Sequence, residues 1–462
     1  MSNKKYHINI SERLVLLRLF DIILPLLTLI IFSYYYNFNY FKNFENRILG
    51  WAVTLSLYLL LFGQIFEMYR LKVASDYYLV LRSAFLTSFL TTIVFVLTPY
   101  ITPVLPNNRM QILFLFLGIF IPITLWRFAY ILFIFSPKYF KNILILGETS
   151  NVIKAINLIL DNAPQVYIAG YFADKKIERF KNIPFFDKKI ENLKHIVLYN
   201  NISEIIVVDG LNFEKFDRIN KWLIQLFEDG ISIKNIENYY QDITMCMPRK
   251  YLTEDFYNNI TLSKTLENRI YLFLVRIFDI VLSTIGLIVM FLIIPFILIG
   301  NLFANKGSLF YKQERVGLRG RPIVINKFRT MVKNAETNRA VWATKKDYRV
   351  TPFGRILRKT RIDEIPQFYN ILKGEMAVIG PRPERPEFVR QLSQKILLYE
   401  TRHVIKPGLT GWAQVMYPYA TTVEEQHKKL RFDLYYIKYR SFFLDFKIII
   451  KTMSTVLFLR GN

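Results

Sequence analysis

Two adjacent acids, Asp363 and Glu364, lie in the stretch 355–367, which also holds four arginine and lysine residues. Neighbouring carboxylates each raise the cost of ionising the other, so their pairing needs nearby cations or a metal with phosphate. Two acids also suit a helix N-terminus, where negative charge is favoured. The basic surroundings favour the chemical interpretation, in which a carboxylate is a nucleophile toward phosphorus or a ligand of Mg²⁺.

Further cations flank this acid pair on both sides. Lys327 and Arg329 are two residues apart, so on a strand they would face the same side. Arg358 precedes the acids, and Arg382 follows them in the Gly-Pro-Arg-Pro motif at 380–383. Guanidinium groups bind phosphate oxygens through two parallel hydrogen bonds, which makes this a candidate phosphate-binding surface. For each single cation, contact with a lipid headgroup is the alternative interpretation.

The composition indicates a membrane protein. The 462 residues are 52% hydrophobic and 16% aromatic, and the mean hydropathy is +0.23. This length predicts two or three domains. The net charge of +25 suits nucleic acid, anionic lipid or a polyanionic small substrate. One cysteine and four histidines exclude an intrachain disulfide and the usual Cys/His zinc cluster. We expect no cleavable signal peptide.

Four apolar stretches fill the first third of the chain, at 14–36, 49–66, 79–98 and 112–135. Each approaches the ~20 residues that cross a bilayer as a helix. Lysine and arginine concentrate before the first stretch, between the second and third, and after the fourth. By the positive-inside rule, both ends of this four-helix transmembrane bundle lie in the cytoplasm. Four buried helices of a soluble bundle are the alternative.

A soluble α/β segment follows the apolar stretches. Buried strands are predicted at 142–147, 166–172 and 204–209, a shorter strand at 231–236, and a helix at 152–160. This alternation predicts a Rossmann-like sheet. The sequence after Gly147 lacks G-x-G-x-x-G, so it does not provide for close approach to a pyrophosphate. We therefore expect a domain that is ligand-free or regulatory.

A fifth apolar stretch runs over about 270–303 and contains Pro295. The following segment 306–359 holds fifteen lysine and arginine residues against three acids, which disfavours export. A proline in mid-segment permits a sharp bend, so we predict a re-entrant hairpin, with an ordinary fifth span as the alternative. Arg276 and Asp279, like Arg18 and Asp21, share one helix face and are predicted to pair as anchors at headgroup level.

Several ordered motifs in the last third resemble the bacterial sugar transferases, the monotopic polyprenyl-phosphate hexose-1-phosphate transferases. They occupy 326–331, 358 with 363–376, 378–384 and 407–415. The preceding segments resemble the long form of that family. One departure is that Ile294–Pro295 stands where the family hairpin usually bends at Ser-Pro. The predicted domains are a transmembrane bundle at 1–138, a Rossmann-like cytoplasmic domain at 139–262 and an α-rich catalytic domain at 263–462.

The resemblance implies a two-step reaction at the cytoplasmic membrane face. With Mg²⁺ present, Asp363 would attack the β-phosphorus of a UDP-sugar and release UMP, and undecaprenyl phosphate would then take the phosphosugar. Glu364 would be the Mg²⁺-facing carboxylate, and Lys327 a required lysine. Arg358 and Arg382 would hold phosphates. The product would start synthesis of an exopolysaccharide, capsule or O-antigen.

The predicted location is the bacterial inner membrane, as a multi-pass protein with a cytoplasmic catalytic domain and no nucleic-acid partner. One rival function is a membrane glycosyltransferase that transfers the sugar alone and releases UDP. Another is an inactive membrane scaffold for polysaccharide assembly, which the intact acid pair and its cations argue against. The sequence leaves open the sugar, the glycan, a ligand of the middle domain and whether the chain forms a homo-oligomer.

Overall fold

The computed structural model describes residues 10–35, 48–98, 101–103, 108–134, 141–163, 166–187, 193–208, 217–252, 268–304, 308–332, 347–417, 420 and 422–457. The chain divides into two compact units, Met1–Ile243 and Thr244–Asn462. The predicted boundary of the catalytic domain at residue 263 falls outside the described residues, and the predicted domain limits stay predictions.

The described residues of the first unit open with the helices α1 (Ile10–Tyr35), α2 (Ile48–Ile65), the four-residue α3 (Leu71–Ala74), α4 (Tyr77–Leu97) and α5 (Met110–Ala129). A π-helical turn, Tyr130–Ile134, extends α5. Each of the four predicted apolar stretches is therefore helical. Among the described residues, four helices are long and apolar enough to cross a membrane, namely α1, α4, α5 and a later helix at Arg269–Leu302. Helix α2 is the shorter apolar helix of the bundle.

The bundle core contains one buried ion pair. Arg127 donates from Nε to Asp21 Oδ1 at 3.1 Å and from Nη1 to the carbonyl of Met68 at 2.9 Å, and both charged side chains are fully buried. The prediction that Asp21 pairs with Arg18 of its own helix is wrong. The face of α1 that carries Asp21 is buried against other helices, where a carboxylate needs a close partner, and Arg127 of α5 supplies it. Arg18 instead lies over the Tyr69 ring, 5.3 Å from its centroid.

A five-stranded parallel sheet completes the first unit, in the order β3-β2-β1-β4-β5. The strands are β1 (Lys141–Leu146), β2 (Val166–Ala173), β3 (Phe185–Asp187), β4 (Glu204–Val207) and β5 (Ser232–Asn235). The helices between and after them are α6 (Thr149–Asn162), α7 (Leu193–Tyr199), α8 (Asp217–Glu228) and α9 (Ile236–Thr244). This strand order is typical of doubly wound α/β domains.

The first turn of the sheet is a poor place for a phosphate. A Cβ on Gly147 would come within 2.9 Å of the Val208 side chain, so the glycine serves close packing between strands. The residue at the N-cap of α6 is Glu148, and its negative charge would repel an anion at this helix terminus. Both features agree with the expectation of a ligand-free or regulatory domain, which stays a prediction.

In the second unit, a short 3₁₀-helix (Arg249–Tyr251) precedes the long apolar helix α10 (Arg269–Ala304). The antiparallel hairpin of β6 (Phe310–Val316) and β7 (Pro322–Phe328) follows. Short helices follow: α11 (Pro352–Lys359), α12 (Phe368–Lys373), α13 (Pro386–Ser393) and α14 (Trp412–Met416). Strands β8 (Ala377–Ile379) and β9 (Gly408–Thr410) pair in parallel. The unit ends with α15 (Val423–Tyr439) and α16 (Phe442–Leu457).

Both halves of α10 pack against the rest of this unit. A Cβ on Gly286 would come within 2.3 Å of the Phe368 ring, and one on Gly300 within 2.3 Å of the Phe353 ring. The two glycines therefore let aromatic side chains of the C-terminal unit lie against the helix backbone. Pro295 lies inside α10, and the helix is continuous through it.

The start of α10 is fastened by the two predicted anchor residues. Arg276 donates from Nη1 to the carbonyl of Ile371 at 2.7 Å and from Nη2 to that of Leu372 at 2.6 Å. Asp279, 3% exposed, accepts a 2.8 Å hydrogen bond from the backbone N–H of Val378. In these contacts the two side chains hold α12 and β8, in place of the predicted contact with each other.

Candidate active site

The acid pair lies in a 3₁₀-helix, Ile362–Gln367, that links α11 to α12. Helix α11 begins at the N-cap Thr351, whose hydroxyl accepts from the N–H of Gly354 at 3.0 Å. Arg361, just before the 3₁₀-helix, has a left-handed backbone with φ of 62°. A non-glycine residue in this region stores strain and is enriched at functional sites. The turn at Arg361 redirects the chain so that both acids point into the unit, where each is buried.

Glu364 is surrounded by three cations. Its Oε1 accepts from Arg382 Nη2 at 2.7 Å and from Lys327 Nζ at 3.0 Å. Its Oε2 accepts from Arg361 Nη1 at 3.3 Å. Burial opposes ionisation of Glu364, but the charges of Arg382, Lys327 and Arg361 outweigh it and hold its pKa well below the ordinary value. Glu364 is therefore a fixed anion that gathers positive charge beside Asp363.

Asp363 is the carboxylate that the protein leaves without a direct partner. Among the described residues, its side chain accepts no hydrogen bond and forms no ion pair within 4.0 Å, although it is only 8% exposed. Burial and then the charge of Glu364 raise its pKa to about 6, while Lys327, Arg358 and Arg382 oppose that rise from a distance. Asp363 is thus ionised at neutral pH and keeps free lone pairs, which is the state that a nucleophile needs.

Strand β7 carries Lys327 to the acid pair, and Asn370 fixes that strand. The Asn370 side chain donates to the carbonyl of Val324 at 2.7 Å and accepts from the backbone N–H of Asn326 at 3.3 Å. Asn370 is 1% exposed and belongs to α12, which directly continues the 3₁₀-helix of the acid pair. The buried Asn370 side chain therefore ties β7 to the helix that follows the acid pair, and this contact fixes the position from which Lys327 reaches Glu364.

The remaining predicted cations lie at different distances from the acids. Arg358 donates from Nε to Thr330 Oγ1 at 2.9 Å, and its charge still acts on Asp363. Arg329 follows the end of β7 and donates from Nη2 to Ser308 Oγ at 2.7 Å. The structure thus brings Lys327 and Arg382 into contact with Glu364, and it places Arg358 near Asp363. Arg329 instead binds Ser308 at the open end of the β6–β7 hairpin.

A buried ionic cluster supports the segment that carries Arg382. Its members are Glu384, Arg402, Lys429, Asp433 and Arg315. Lys429 Nζ donates to Glu384 Oε1 at 2.9 Å, and Arg402 Nη2 lies 2.8 Å from Asp433 Oδ2. Burial opposes ionisation of Glu384, but the charges of Lys429, Arg402 and Arg315 prevail and lower its pKa.

The same cluster holds the main chain at Arg382 and at the residue after it. Arg402 Nη2 donates to the carbonyl of Arg382 at 3.1 Å, and Arg315 Nη1 donates to the carbonyl of Pro383 at 3.0 Å. These bonds fix the backbone from which the Arg382 guanidinium reaches Glu364.

The oxygen atoms of the acid pair are candidate ligands for Mg²⁺. Among the described residues, no three His, Cys, Asp or Glu side chains are grouped to hold a metal. Mg²⁺ nevertheless needs only one or two carboxylates when substrate phosphates complete its shell. Glu364 Oε2 has one partner, Arg361 at 3.3 Å, so this oxygen keeps acceptor capacity, and Asp363 has more. The residues fit a metal that is held jointly with a substrate.

A cavity of about 440 Å³ lies apart from the acid pair, around the start of α15. Its lining includes Arg249, His427, Lys428 and Arg431, and none of the predicted site residues. We assign the active site to the acid pair and its cations, because a carboxylate beside phosphate-binding cations can carry out phosphoryl transfer. None of these residues lines the cavity.

Sequence reasoning missed Arg361 and the buried cluster. Arg361 carried a usable signal, because it lies three residues before Glu364, the spacing at which helical side chains meet. Glu384 closes the 378–384 motif, but nothing local in the sequence shows that Glu384, Arg402, Lys429 and Asp433 meet in the fold.

Three comparisons bear on the identity of this site. A sequence model of the bacterial sugar transferase family matches residues 270–459. The UDP-N-acetylgalactosamine-undecaprenyl-phosphate N-acetylgalactosaminephosphotransferase of Aeromonas hydrophila is 46% identical over 153 residues, which are 33% of this chain and 36% of that protein. The UDP-glucose:undecaprenyl-phosphate glucose-1-phosphate transferase of Klebsiella pneumoniae is 35% identical over 253 residues, 51% of this chain and 54% of that protein.

A shorter relative is covered more fully. An uncharacterized sugar transferase of Bacillus subtilis is 39% identical over 153 residues, which are 33% of this chain and 72% of that protein. The chain spans between about a third and a half of the first two relatives. The C-terminal unit is thus a sugar transferase domain. The chain belongs to the bacterial sugar transferase family.

Proposed function

We propose that this protein transfers a hexose-1-phosphate from a UDP-sugar to undecaprenyl phosphate and so starts the synthesis of a bacterial surface polysaccharide. The observation that carries the proposal is the asymmetry of the acid pair. Glu364 binds three cations, whereas Asp363 is buried beside it, has no partner within the part of the chain that the structure describes, and keeps its lone pairs. The Aeromonas and Klebsiella relatives carry names for reactions of this class.

In the first step, an ionised Asp363 oxygen attacks the β-phosphorus of the UDP-sugar. The bond from that phosphorus to the bridging oxygen breaks, and UMP leaves with the oxygen and its electron pair. Arg382, Lys327 and Arg358 lie around the position where charge builds up on the phosphate oxygens, and fixed cations there lower the barrier. An acyl phosphate that links Asp363 to the sugar results.

In the second step, a phosphate oxygen of undecaprenyl phosphate attacks the same phosphorus. The Asp363–phosphorus bond breaks and returns the carboxylate, while a diphosphate now links lipid and sugar. Glu364 stays ionised throughout, because its pKa is held far below neutral pH, and it keeps the surrounding cations in place.

Mg²⁺ is part of this proposal. Glu364 Oε2 and the carboxylate of Asp363 would hold the Mg²⁺ ion together with the substrate. The ion would neutralise negative charge on the diphosphate.

Helix α10 is proposed to enter and leave the membrane on the cytoplasmic face. In a straight helix, Arg276 and Gly300 would be about 36 Å apart, more than the ~30 Å of the hydrocarbon core. Both contact the polar C-terminal unit, which cannot extend through a bilayer. A bend at Pro295 resolves this conflict. Lys306, predicted to lie on the side where the helix enters, is outside the described residues.

Two other functions predict different products. A glycosyltransferase that moves the sugar alone would release UDP, and a scaffold would release neither nucleotide. The test uses the purified full chain, undecaprenyl phosphate, Mg²⁺ and a panel of UDP-sugars, with UMP and UDP separated by chromatography. UMP release that depends on one UDP-sugar is the expected result. UDP release would overturn the proposal.

Asp363→Asn is the matched variant for that assay. The amide is nearly isosteric with the acid but is a poor nucleophile, so we expect loss of turnover and of any covalent phosphosugar adduct by mass spectrometry. Asp229→Asn is the control, because Asp229 pairs with Lys194 in the first unit. More than a few per cent residual activity in Asp363→Asn would assign the nucleophile elsewhere.

A further inference from the structure

We infer that Lys406, Arg276 and Arg440 form a second anion site, which binds the phosphate group of a membrane lipid where helix α10 begins. The site is separate from the acid pair and has no part in the two chemical steps. It rests on the proposed membrane location of α10 and not on the identity of the reaction.

Lys406 is a cation without a protein partner. It is half-buried in the segment that leads into β9, and among the described residues its ammonium group makes no hydrogen bond or ion pair. Burial, followed by the charge of Arg276 and then that of Arg440, lowers the pKa of Lys406, while the charge of Asp279 opposes this shift. A lysine held in such a place is expected to have a ligand, since burying an unpaired charge is costly.

Arg276 and Lys406 face one point beside Gly374. A Cβ on that glycine would lie 3.5 Å from Arg276 Nη2 and 3.6 Å from Lys406 Nζ. Gly374 has φ of +84°, so the backbone ends α12 there and leaves the space open. Two cations that border one open space can together bind an anion that has several oxygen atoms.

Arg440 is the third cation of this cluster, and its charge acts on Lys406. Its side chain is 7% exposed and its Nε is buried without a hydrogen-bond partner among the described residues. Its Cζ lies 5.3 Å from the ring centroid of Tyr271 and 5.9 Å from that of Tyr436. The rings shield one face of the guanidinium from water, which strengthens any contact that it makes with an anion.

The acids near this cluster are already occupied. Asp279 accepts from the N–H of Val378, and Asp445 accepts from the hydroxyls of Tyr271 and Tyr436. These hydrogen bonds leave both carboxylates charged, so three cations face two acids and the cluster keeps an excess of one positive charge. An external anion would balance the remaining positive charge.

The surroundings indicate that this anion is carried by a lipid. Exposed apolar side chains flank the cluster on both helices: Ile270 and Phe273 on α10, at 73% and 65% exposure, and Phe442 and Phe443 on α16, at 70% and 84%. The hydroxyl of Tyr271 donates to Asp445, so these two helix starts are adjacent. Phosphate beside acyl chains is the chemistry that matches cations bordered by aromatic and aliphatic groups.

The cations of this site are not those of the acid pair. Lys406 and Arg276 lie within 3.6 Å of one point beside Gly374, whereas Glu364 binds Arg382, Lys327 and Arg361. A phosphate held by Lys406 and Arg276 therefore leaves those three cations free. The bound lipid would be either an anionic phospholipid that anchors the domain at the membrane or the acceptor lipid before it reaches Asp363.

Native mass spectrometry of the full chain in detergent tests the site without any UDP-sugar. The probes are undecaprenyl phosphate, phosphatidylglycerol and phosphatidylcholine, each added alone. Lys406→Met should retain about tenfold less of the preferred phosphate lipid, as expected for loss of one charged contact, and Lys406→Arg should restore it. Lys395→Met is the control, because Lys395 is exposed on a different part of the unit.

If the protein prefers undecaprenyl phosphate and Lys406→Met removes that preference, the bound lipid is the acceptor of the proposed reaction. If the same holds for phosphatidylglycerol, the bound lipid is a phospholipid that anchors the domain at the membrane. Thermal unfolding in lipid-free detergent provides the second measurement. Lys406→Met should unfold at the same or a higher temperature, because it relieves repulsion from Arg276 and Arg440. A lower unfolding temperature with unchanged binding of all three lipids would show a structural role and overturn the site.

Discussion

Arg402 donates a 3.1 Å hydrogen bond from Nη2 to the backbone carbonyl of Arg382, so a buried guanidinium holds the main chain beneath a cation of the acid pair. The same nitrogen lies 2.8 Å from Asp433, and Nη1 donates to the Tyr399 hydroxyl at 2.7 Å. Arg402 therefore connects the core of the C-terminal unit to the site without reaching the dyad itself. It is a positioning residue.

Arg402→Lys tests this connection, since lysine keeps the charge but cannot make the three directed contacts. We expect kcat to fall about 10- to 100-fold, the usual effect of a small misplacement of catalytic groups, with a smaller change in KM for the UDP-sugar. Steady-state UMP release measures both constants. Arg390→Lys on the exposed side of α13 is the control. Equal kcat in both variants would contradict the positioning role.

The rate should depend on pH through Asp363. Its pKa is raised to about 6, and the attacking form is the carboxylate. The single-turnover rate of UMP release should therefore rise between about pH 5 and pH 7 and then level off. Glu364→Gln removes the neighbouring negative charge, so the midpoint of the residual rate should move to lower pH. A rate that is flat from pH 5 to 8 would exclude ionisation of Asp363 as the controlling event.

The ionised form of Asp363 should also lower the free energy of unfolding at neutral pH. Its folded pKa of about 6 lies above its ordinary value of 3.8, so the folded state binds the proton more tightly. Stability is then lost as pH rises from about 4 to 6. Asp363→Asn should raise the free energy of unfolding at pH 7 by up to about 3 kcal/mol, with no gain near pH 4. Denaturant unfolding at both pH values measures this, and equal gains at both would contradict it.

The site was partly readable from the sequence. Asp363 and Glu364 stood out because two acids were adjacent among cations, and Lys327 and Arg382 lay in short motifs, so local spacing was enough to find them. The predicted strands 166–172 and 204–209 overlap β2 and β4, because apolar runs mark buried parallel strands.

Other features depend on the fold. Arg329 was grouped with Lys327 by strand alternation, but β7 ends at Phe328 and the rule stops applying there. Asp21 and Asp279 were each predicted to pair within their own helix, whereas burial of the helix face gave them partners on other elements. The Glu384 cluster joins residues far apart in the chain, and no local pattern reports such contacts.

Mg²⁺ dependence should reside in Glu364. In Glu364→Gln a neutral amide replaces a ligand that a hard cation prefers, and Arg382 and Lys327 lose their anion. We expect EDTA to silence the wild-type protein, and we expect the variant to need higher Mg²⁺ for its reduced rate. Titration of Mg²⁺ in the UMP assay separates the two effects. Full wild-type activity in EDTA would remove the metal from the proposal.

The path of α10 determines whether the acid pair can meet its substrates. Pro295 lacks the backbone N–H that a straight helix would use, so Pro295→Ala restores a hydrogen bond and should bias the segment toward a full crossing. Cysteine probes placed near Met1 and after Asn462 (with Cys246 replaced by serine) report the topology through labelling of intact cells.

In the wild-type protein, both probes should be protected from a membrane-impermeant reagent, and in Pro295→Ala the C-terminal probe should become partly accessible. Asp279→Asn is a useful companion, because it weakens the hold of α10 on Val378 without restoring the helix bond. Labelling of the wild-type C-terminal probe from outside would mean that α10 is a true span. The acid pair would then lie on the side of the membrane opposite to the cytoplasmic UDP-sugars, and this result would contradict both the proposed topology and the proposed reaction.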